Sequence, residues 1–350
     1  MTITIVRAVK PRLAEAARDK SDFGTVFTDH MLMAECESGV WDEPKIVPYG
    51  PLPMAPSLIA LHYGQTCFEG FKARRTVDGG IALFRPRDNH ARMNRSAARL
   101  AMPEIPADIF LDGIATLVRL EQDWVPERPG SSLYLRPVYF AADEAIGVRA
   151  ARTYRFVVLC CPVGRYFHEP IRLLAEEHYV RAFPGGTGDV KAAGNYGGSL
   201  VAARLAQEHG FHNVIWLDGL EHRFVEECGV MNIVFVIGGV AVTPPLGGTI
   251  LPGITRDSVL TLLREMSIPI QERPMRIDEI FAAHAAGTLD EAFGVGTAAT
   301  IAPIACIRFR DREIEVPTGL PGSISEKASA ALDAVQTGRD ADHHGWLLPV

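Results

Sequence analysis

The chain has 350 residues, 47% hydrophobic and 22% charged, a composition of globular type and enough length for two domains with their own cores. A formal charge of -7 leaves no basic excess to neutralise phosphates, which excludes nucleic acid as the main partner. Six scattered cysteines (Cys36, Cys67, Cys160, Cys161, Cys228, Cys306) show no C-x-x-C spacing and read as reduced buried thiols. The opening "MTITIVRAVKPRLAEAARDK" lacks the apolar core of an export signal, and the run "FVVLCCPV" is too short to cross a bilayer. The expectation is a cytoplasmic protein with no membrane partner.

Along the chain, "TVFTDHMLMAEC" and "GIALF" read as strands bounded by turn or charged residues. "RDNHARMNRSAARLAM" then places Met93, Ala97 and Leu100 at helical spacing. "ADIFLDGIATLVRLEQDWV" does the same with Ile109, Ile114, Leu117 and Leu120. Two further strands, "SSLYLRPVYFA" and "YRFVVLCCPV", complete residues 1–164. Strands and helices that do not strictly alternate predict a small α+β domain there. "RYFHEP", residues 165–170, suits an interdomain loop, and residues 171–350 a larger second domain. In that second part "GSLVAARLAQEHG" is a helix with a glycine stop. "HNVIWLDGLEHRFVEECGVMNIVFVIGGVAVTPP" reads as successive strands turning at "DG" and "GG". Helices follow over "LPGITRDSVLTLLREMSI", "RIDEIFAAHAAG" and "SISEKASAALDAV".

Several familiar chemistries are absent. "GGTGDVK" fits neither glycine-rich nucleotide pattern, there is no H-E-x-x-H or G-x-S-x-G, and His343–His344 reads as surface or packing; no metal is expected. Three features remain. In "GDVKAAGNYGGS" a single long cation, Lys191, sits among small residues, as an amine would that reaches a bulky partner through close-packed backbone. Desolvation or a neighbouring cation makes such an amine a nucleophile toward a carbonyl. Taken alone, a solvated lysine at a glycine-rich turn is the commoner reading.

The second feature is "VEECGVMN". Side chains alternate along a strand, so one of Glu226 and Glu227 faces inward and needs a cationic or protonated-nitrogen partner, although a salt bridge at a strand turn fits equally well. The third is a pair of turns. "LPGITRD" offers the Ile254 amide and Thr255 hydroxyl to an anion, and "GVGTAAT" adds Thr297 after Gly296; each alone is an ordinary helix cap or turn. Arg92 is a further candidate phosphate ligand. A nucleophilic lysine, an inward glutamate and a threonine-rich phosphate cup together are what pyridoxal 5'-phosphate requires.

The ordered segments "LHYGQTCFEGFKA", "LFRPRDNHARMNRSA", "SLYLRPV", "CPVGRYF", "GDVKAAGNYGGSL", "EECGVMN", "LPGITRDS" and "GVGTAAT" resemble the branched-chain amino acid aminotransferases. These are pyridoxal phosphate enzymes of the class IV family. The resemblance implies the two-domain, mixed α+β, D-alanine aminotransferase-like fold with the cofactor between the domains. It implies that Lys191 is the imine lysine and proton-moving base, that Glu227 faces the pyridine nitrogen with Glu226 its outward neighbour, and that Tyr196 bonds the 3' oxygen. Arg92, Thr255, Thr297 and the Ile254 amide would hold the phosphate, and the Ala298 amide the substrate carboxylate.

Phe23, Tyr63, Phe68, Tyr134, Arg136, Val148 and Tyr166 match pocket positions, some contributed across a homodimer. The shared spacing of Tyr134 and Arg136 on one strand favours a common pocket. Val230 stands where many relatives carry a smaller or hydroxylated residue. The implied reaction is ping-pong transfer of the amino group of leucine, isoleucine or valine to 2-oxoglutarate. Two other relatives within this fold, D-amino acid aminotransferase and aminodeoxychorismate lyase, are disfavoured by "FTDHMLM" and "SLYLRPV".

Overall fold

The structure, a computed structural model, describes residues 2–14, 23–164 and 166–350, so Arg165 at the head of the expected connection lies outside the described residues. The chain forms two units. One comprises Met1–Tyr166, Lys191–Gly194 and Val335–Val350; the other comprises Phe167–Val190 and Asn195–Ala334.

In the first unit an antiparallel run joins β1 (His30–Glu37), β2 (Thr66–Phe68), β3 (Phe71–Arg75), β4 (Ile81–Phe84), β5 (Ser132–Ala141) and β6 (Thr153–Val163). The order across the sheet is β1, β6, β5, β3, β4, with β2 also paired to β5. The C-terminal strand Leu347–Pro349 lies against β4. Period-two alternation decides the faces. Leu32, Phe71, Ala73, Leu133, Leu135, Tyr139, Phe156 and Val158 enter the core, where α1 (Pro86–Arg99) and α2 (Ala107–Leu120) cover them with Met93, Phe110, Ile114 and Leu117. Phe110 packs between Phe71 and Phe156, with ring centroids 5.9 and 5.8 Å away. Burying each such ring is worth about 1.5–3 kcal/mol.

Asp108 in the first turn of α2 and Arg119 in its last complement the helix dipole. Gly113 lets α2 sit close, because a Cβ there would stand 2.9 Å from Leu32 Cδ2. The opposite strand positions, Phe68, Lys72, Tyr134, Arg136 and Cys161, are left on the other face of the sheet.

The second unit is built on β7 (Ile171–Glu176), β8 (Asn213–Leu217), β9 (Val225–Cys228), β10 (Met231–Ile237), β11 (Leu289–Gly296) and β12 (Thr300–Phe309). The order β9, β8, β7, β12, β11, β10 closes on itself, because β10 also pairs with β9. The circuit is a small mixed barrel, parallel at β7–β8 and β7–β12 and antiparallel elsewhere. Ile171, Leu173, Ile215, Ile233, Phe235, Ile304 and Ile307 belong to its main core. α3 (Leu200–Glu208) seals another face by packing Ala202 and Ala206 with Val214 and Trp216. Three further helices, α4 (Ile254–Glu265), α5 (Ile277–Ala285) and α6 (Ile324–Gln336), match the predicted ones in place and order.

All six cysteines are buried and free of disulfides. Among the described residues no helix is long and apolar enough to cross a membrane.

Candidate active site

Lys191 belongs structurally to the first unit. Its backbone N–H donates to Ser96 Oγ at 3.0 Å, its carbonyl accepts from the Phe68 N–H at 3.2 Å, and Ala192 bridges to Cys67. Ser96, fully buried on α1, in turn donates to the Arg92 carbonyl at 3.1 Å. Arg92, one turn earlier, points inward rather than into solvent. Its Nε and one terminal nitrogen each donate to a Glu69 oxygen at 2.7 Å. Glu69 is itself wholly buried, so this is a dry, bidentate ion pair.

The Lys191 amine lies 4.7 Å from the centre of the Phe68 ring. Burial, and next the Arg92 charge, lower its pKa to about 8, with Glu69 and Tyr134 acting the other way. A lysine so placed holds a substantial neutral fraction near physiological pH, which a solvated lysine does not.

The same sheet face carries the expected aromatic cluster. Phe23 meets Tyr134 edge-on at 4.8 Å and Tyr166 at 5.2 Å between centroids. Arg136 donates to the Tyr134 hydroxyl at 2.9 Å and lies over the Phe68 ring at 4.7 Å. Gly70 makes room for this group, since a Cβ there would collide with the Tyr134 hydroxyl. Lys72, the cross-strand partner of Tyr134, is pushed down to about 7 by burial and the charge of Arg74. Glu69, Ser96 and Lys72 stand inside the segments "CFEGFKA" and "NRSA", where no local spacing or composition signal marks them out.

In the second unit Glu227 is buried. It accepts the Leu251 N–H at 2.7 Å and stands 3.2 Å from Arg181. Arg181 also donates to the Gly188 carbonyl at 3.0 Å and to the Thr249 carbonyl. This accounts for part of the small-residue stretch: a Cβ on Gly188 would strike Ala182 and the Thr249 carbonyl. Asn195 braces the same loop, accepting from the Thr187 hydroxyl at 2.6 Å and donating to the Thr187 and Val190 carbonyls at 2.7 and 3.0 Å.

Tyr196 follows, half-buried, in the short helix Ala193–Gly197. Glu226 corrects an expectation: the outward neighbour is buried too, accepting the Thr249 hydroxyl, with its pKa raised by burial. Gly253 caps α4 without a capping side chain, and Ile254 and Thr255 are buried in its first turn. Thr297 and Ala298 lie half-buried in the turn after β11. There a Cβ on Gly296 would meet Met231 Cγ at 3.0 Å.

Three pocket candidates are exposed in the single chain: Tyr63 ends the short helix Ile59–Tyr63, Val148 is 88% exposed in the loop after β5, and Val230 tips the turn between β9 and β10. Cys306, Glu313 and Glu315 gather within 4.8 Å, but both carboxylates are engaged by Arg172 at 2.8 and 3.4 Å.

Residues 66–307 match the family model described as amino-transferase class IV. The chain belongs to the class IV aminotransferases. It is similar to branched-chain-amino-acid transaminase 1 of Bacillus subtilis, 44% identical over 333 residues covering 94% of each chain. Among solved structures it is similar to the Escherichia coli branched-chain amino acid aminotransferase, with a TM-score of 0.76 at 27% identity, covering 91% of this chain and 98% of that one. It is also similar to the Thermobaculum terrenum branched-chain amino acid aminotransferase solved in its PLP-form, with a TM-score of 0.75 at 26% identity, covering 92% and 98%.

The mixed α+β fold is therefore the one expected, and the cofactor of this aminotransferase is pyridoxal phosphate. Each unit by itself offers chemistry that suits such a group: the first a part-neutral amine (Lys191) and a buried guanidinium (Arg92), the second a buried carboxylate (Glu227) and a helix start whose N-cap is a glycine (Gly253).

Proposed function

We propose that this aminotransferase takes the amino group of leucine, isoleucine or valine, releases the 2-oxo acid, and in a second half-reaction passes the amine to 2-oxoglutarate to give L-glutamate. The observation that carries this reading is the Lys191 amine, lowered to about 8 by burial and Arg92 in a chain that otherwise resembles branched-chain enzymes throughout. The cofactor, when bound, supplies an aldehyde carbon and an electron-accepting ring. Lys191 would hold that group through its amine and would serve as the base that takes the proton from the amino acid's Cα.

Glu227 keeps the ring nitrogen protonated, and Tyr196 hydrogen-bonds the 3' oxygen. Arg92, Thr255, Thr297 and the Ile254 amide neutralise the phosphate. The Ala298 amide binds the substrate carboxylate. Phe23, Tyr63, Phe68, Tyr134, Val148, Tyr166 and Val230 line an apolar side-chain pocket. The Arg136–Tyr134 pair gives that pocket a polar patch for the distal carboxylate of glutamate. Exposed Tyr63 and Val148 suit a homodimer in which one copy completes the other's pocket.

Single half-reactions test the reading. Leucine, isoleucine and valine each convert the bound cofactor rapidly, 2-oxoglutarate reverses the change, and Lys191→Ala abolishes both. Fast D-alanine turnover with inert leucine, or parental rates for Lys191→Ala, would sink it.

A further inference from the structure

The Leu251 peptide is gripped at both ends. Its N–H donates to Glu227 Oε1 at 2.7 Å, and its carbonyl accepts from Asn232 Nδ2 at 3.0 Å. The two gripping residues are cross-strand neighbours, Glu227 on β9 facing Asn232 on β10, which is paired on its other side with Val295 of β11. Asn232 is 6% exposed and cannot swing into solvent. Two residues after Leu251 comes Gly253, the N-cap of α4.

Gly253 supplies an independent observation. Its φ of -69° and ψ of 125° suit any residue, so the backbone conformation does not demand glycine. Contact does: a Cβ there would land on the Asn232 amide oxygen. The start of α4 is thus pressed against Asn232 directly at Gly253 and held to it through the Leu251 carbonyl.

We infer that Asn232 is a positioning residue that sets the distance from Glu227 to the N-terminus of α4. It thereby holds the ring-nitrogen carboxylate and the phosphate donors at one fixed separation. The inference rests on the roles proposed above for Glu227, Ile254 and Thr255. A rigid cofactor has one length from ring nitrogen to phosphate, and donors already spaced for it need no ordering when it binds. Losing the Asn232 donor leaves the Leu251 carbonyl short of a partner and lets the two ends drift independently.

The test titrates the apoenzyme with pyridoxal 5'-phosphate and, separately, with pyridoxal, following absorbance of the bound form. Asn232→Asp keeps the side chain's shape but replaces the donor with an acceptor facing a carbonyl. It weakens pyridoxal phosphate binding by about 10- to 100-fold and shrinks the preference for the phosphorylated form. Gly253→Ala also weakens binding in the parent. In an Asn232→Ala background the same change alters affinity by less than about twofold, because the group it would strike is gone.

Parental affinities for Asn232→Asp, or a lowered unfolding midpoint with an unchanged preference, overturn the inference. So does an equal cost of Gly253→Ala in both backgrounds. Glu227→Gln and Thr255→Ala serve as controls. If neither weakens pyridoxal phosphate binding, the site reading falls and takes this inference with it. If both do while Asn232→Asp stays parental, only the inference fails.

Discussion

Glu69→Gln is the most informative single change in the first unit. The carboxylate is fully buried and makes two 2.7 Å bonds to Arg92, whose side chain is only 4% exposed. The amide has nearly the same shape, but it removes the negative charge and turns an NH2 group toward the guanidinium. Stripping one partner from a buried pair leaves the other charge uncompensated and costs about 3–5 kcal/mol. The double variant Glu69→Gln/Arg92→Met removes both charges at similar volume and returns to within about 1 kcal/mol of the parent. Urea unfolding of the four apoproteins in the cycle at neutral pH reads the coupling directly.

Glu69 is also the group that most raises the pKa of Lys191, so removing it lets the amine fall below about 8. The pH dependence of Lys191 acylation, followed by mass spectrometry, checks that direction. The reasoning is refuted if Glu69→Gln costs less than about 1 kcal/mol, or if the double variant loses as much as the two single ones summed.

Two further outcomes are expected. The folded-state pKa of Lys191, about 8, lies below its ordinary 10.5, so between those values the unfolded chain holds a proton that the folded one lacks. Apoenzyme stability therefore rises with pH across that window, and Lys191→Met flattens the rise; parallel pH–stability curves for the two proteins would contradict it. Gly70→Ala drives a methyl group into the Tyr134 hydroxyl and breaks its bond to Arg136. Steady-state kinetics should give a kcat/KM for branched-chain donors at least about tenfold lower, and unaltered kinetics would show that Tyr134 can yield without consequence.

Elements with a strong period are legible in the sequence. The spacing of Tyr134 and Arg136 puts them on one face of β5, where Arg136 donates to the Tyr134 hydroxyl, and α1 lies within three residues of its predicted span at both ends. The second helical pattern ran on to Val125, yet α2 stops at Leu120. The chain then turns through Gln122–Trp124, so that the buried Trp124 indole donates to Asp29 at 3.0 Å. That partner is 95 positions away in sequence, and such pairings leave no local trace.

The supporting residues of the site were hidden in the same way. Glu69 meets Arg92 across 23 positions, Ser96 meets Lys191 across 95, and Arg181 meets Thr249 across 68. Glu226 differs for another reason. Alternation separates the two faces of β9 but does not decide whether the second face is wet, and there the chain around Thr249 covers Glu226, with the Thr249 hydroxyl donating to its carboxylate.

Closure of the barrel circuit also fixes which of two adjacent acids stands opposite Asn232. In an open hairpin a slide of one residue would exchange Glu226 and Glu227 with no change in composition. Here Glu227 is locked opposite Trp216 on one flank and Asn232 on the other, and Asn232 is locked opposite Val295. A slide of β9 would have to break its ladders with β8 and with β10 together, so twin glutamates side by side are no hazard to register.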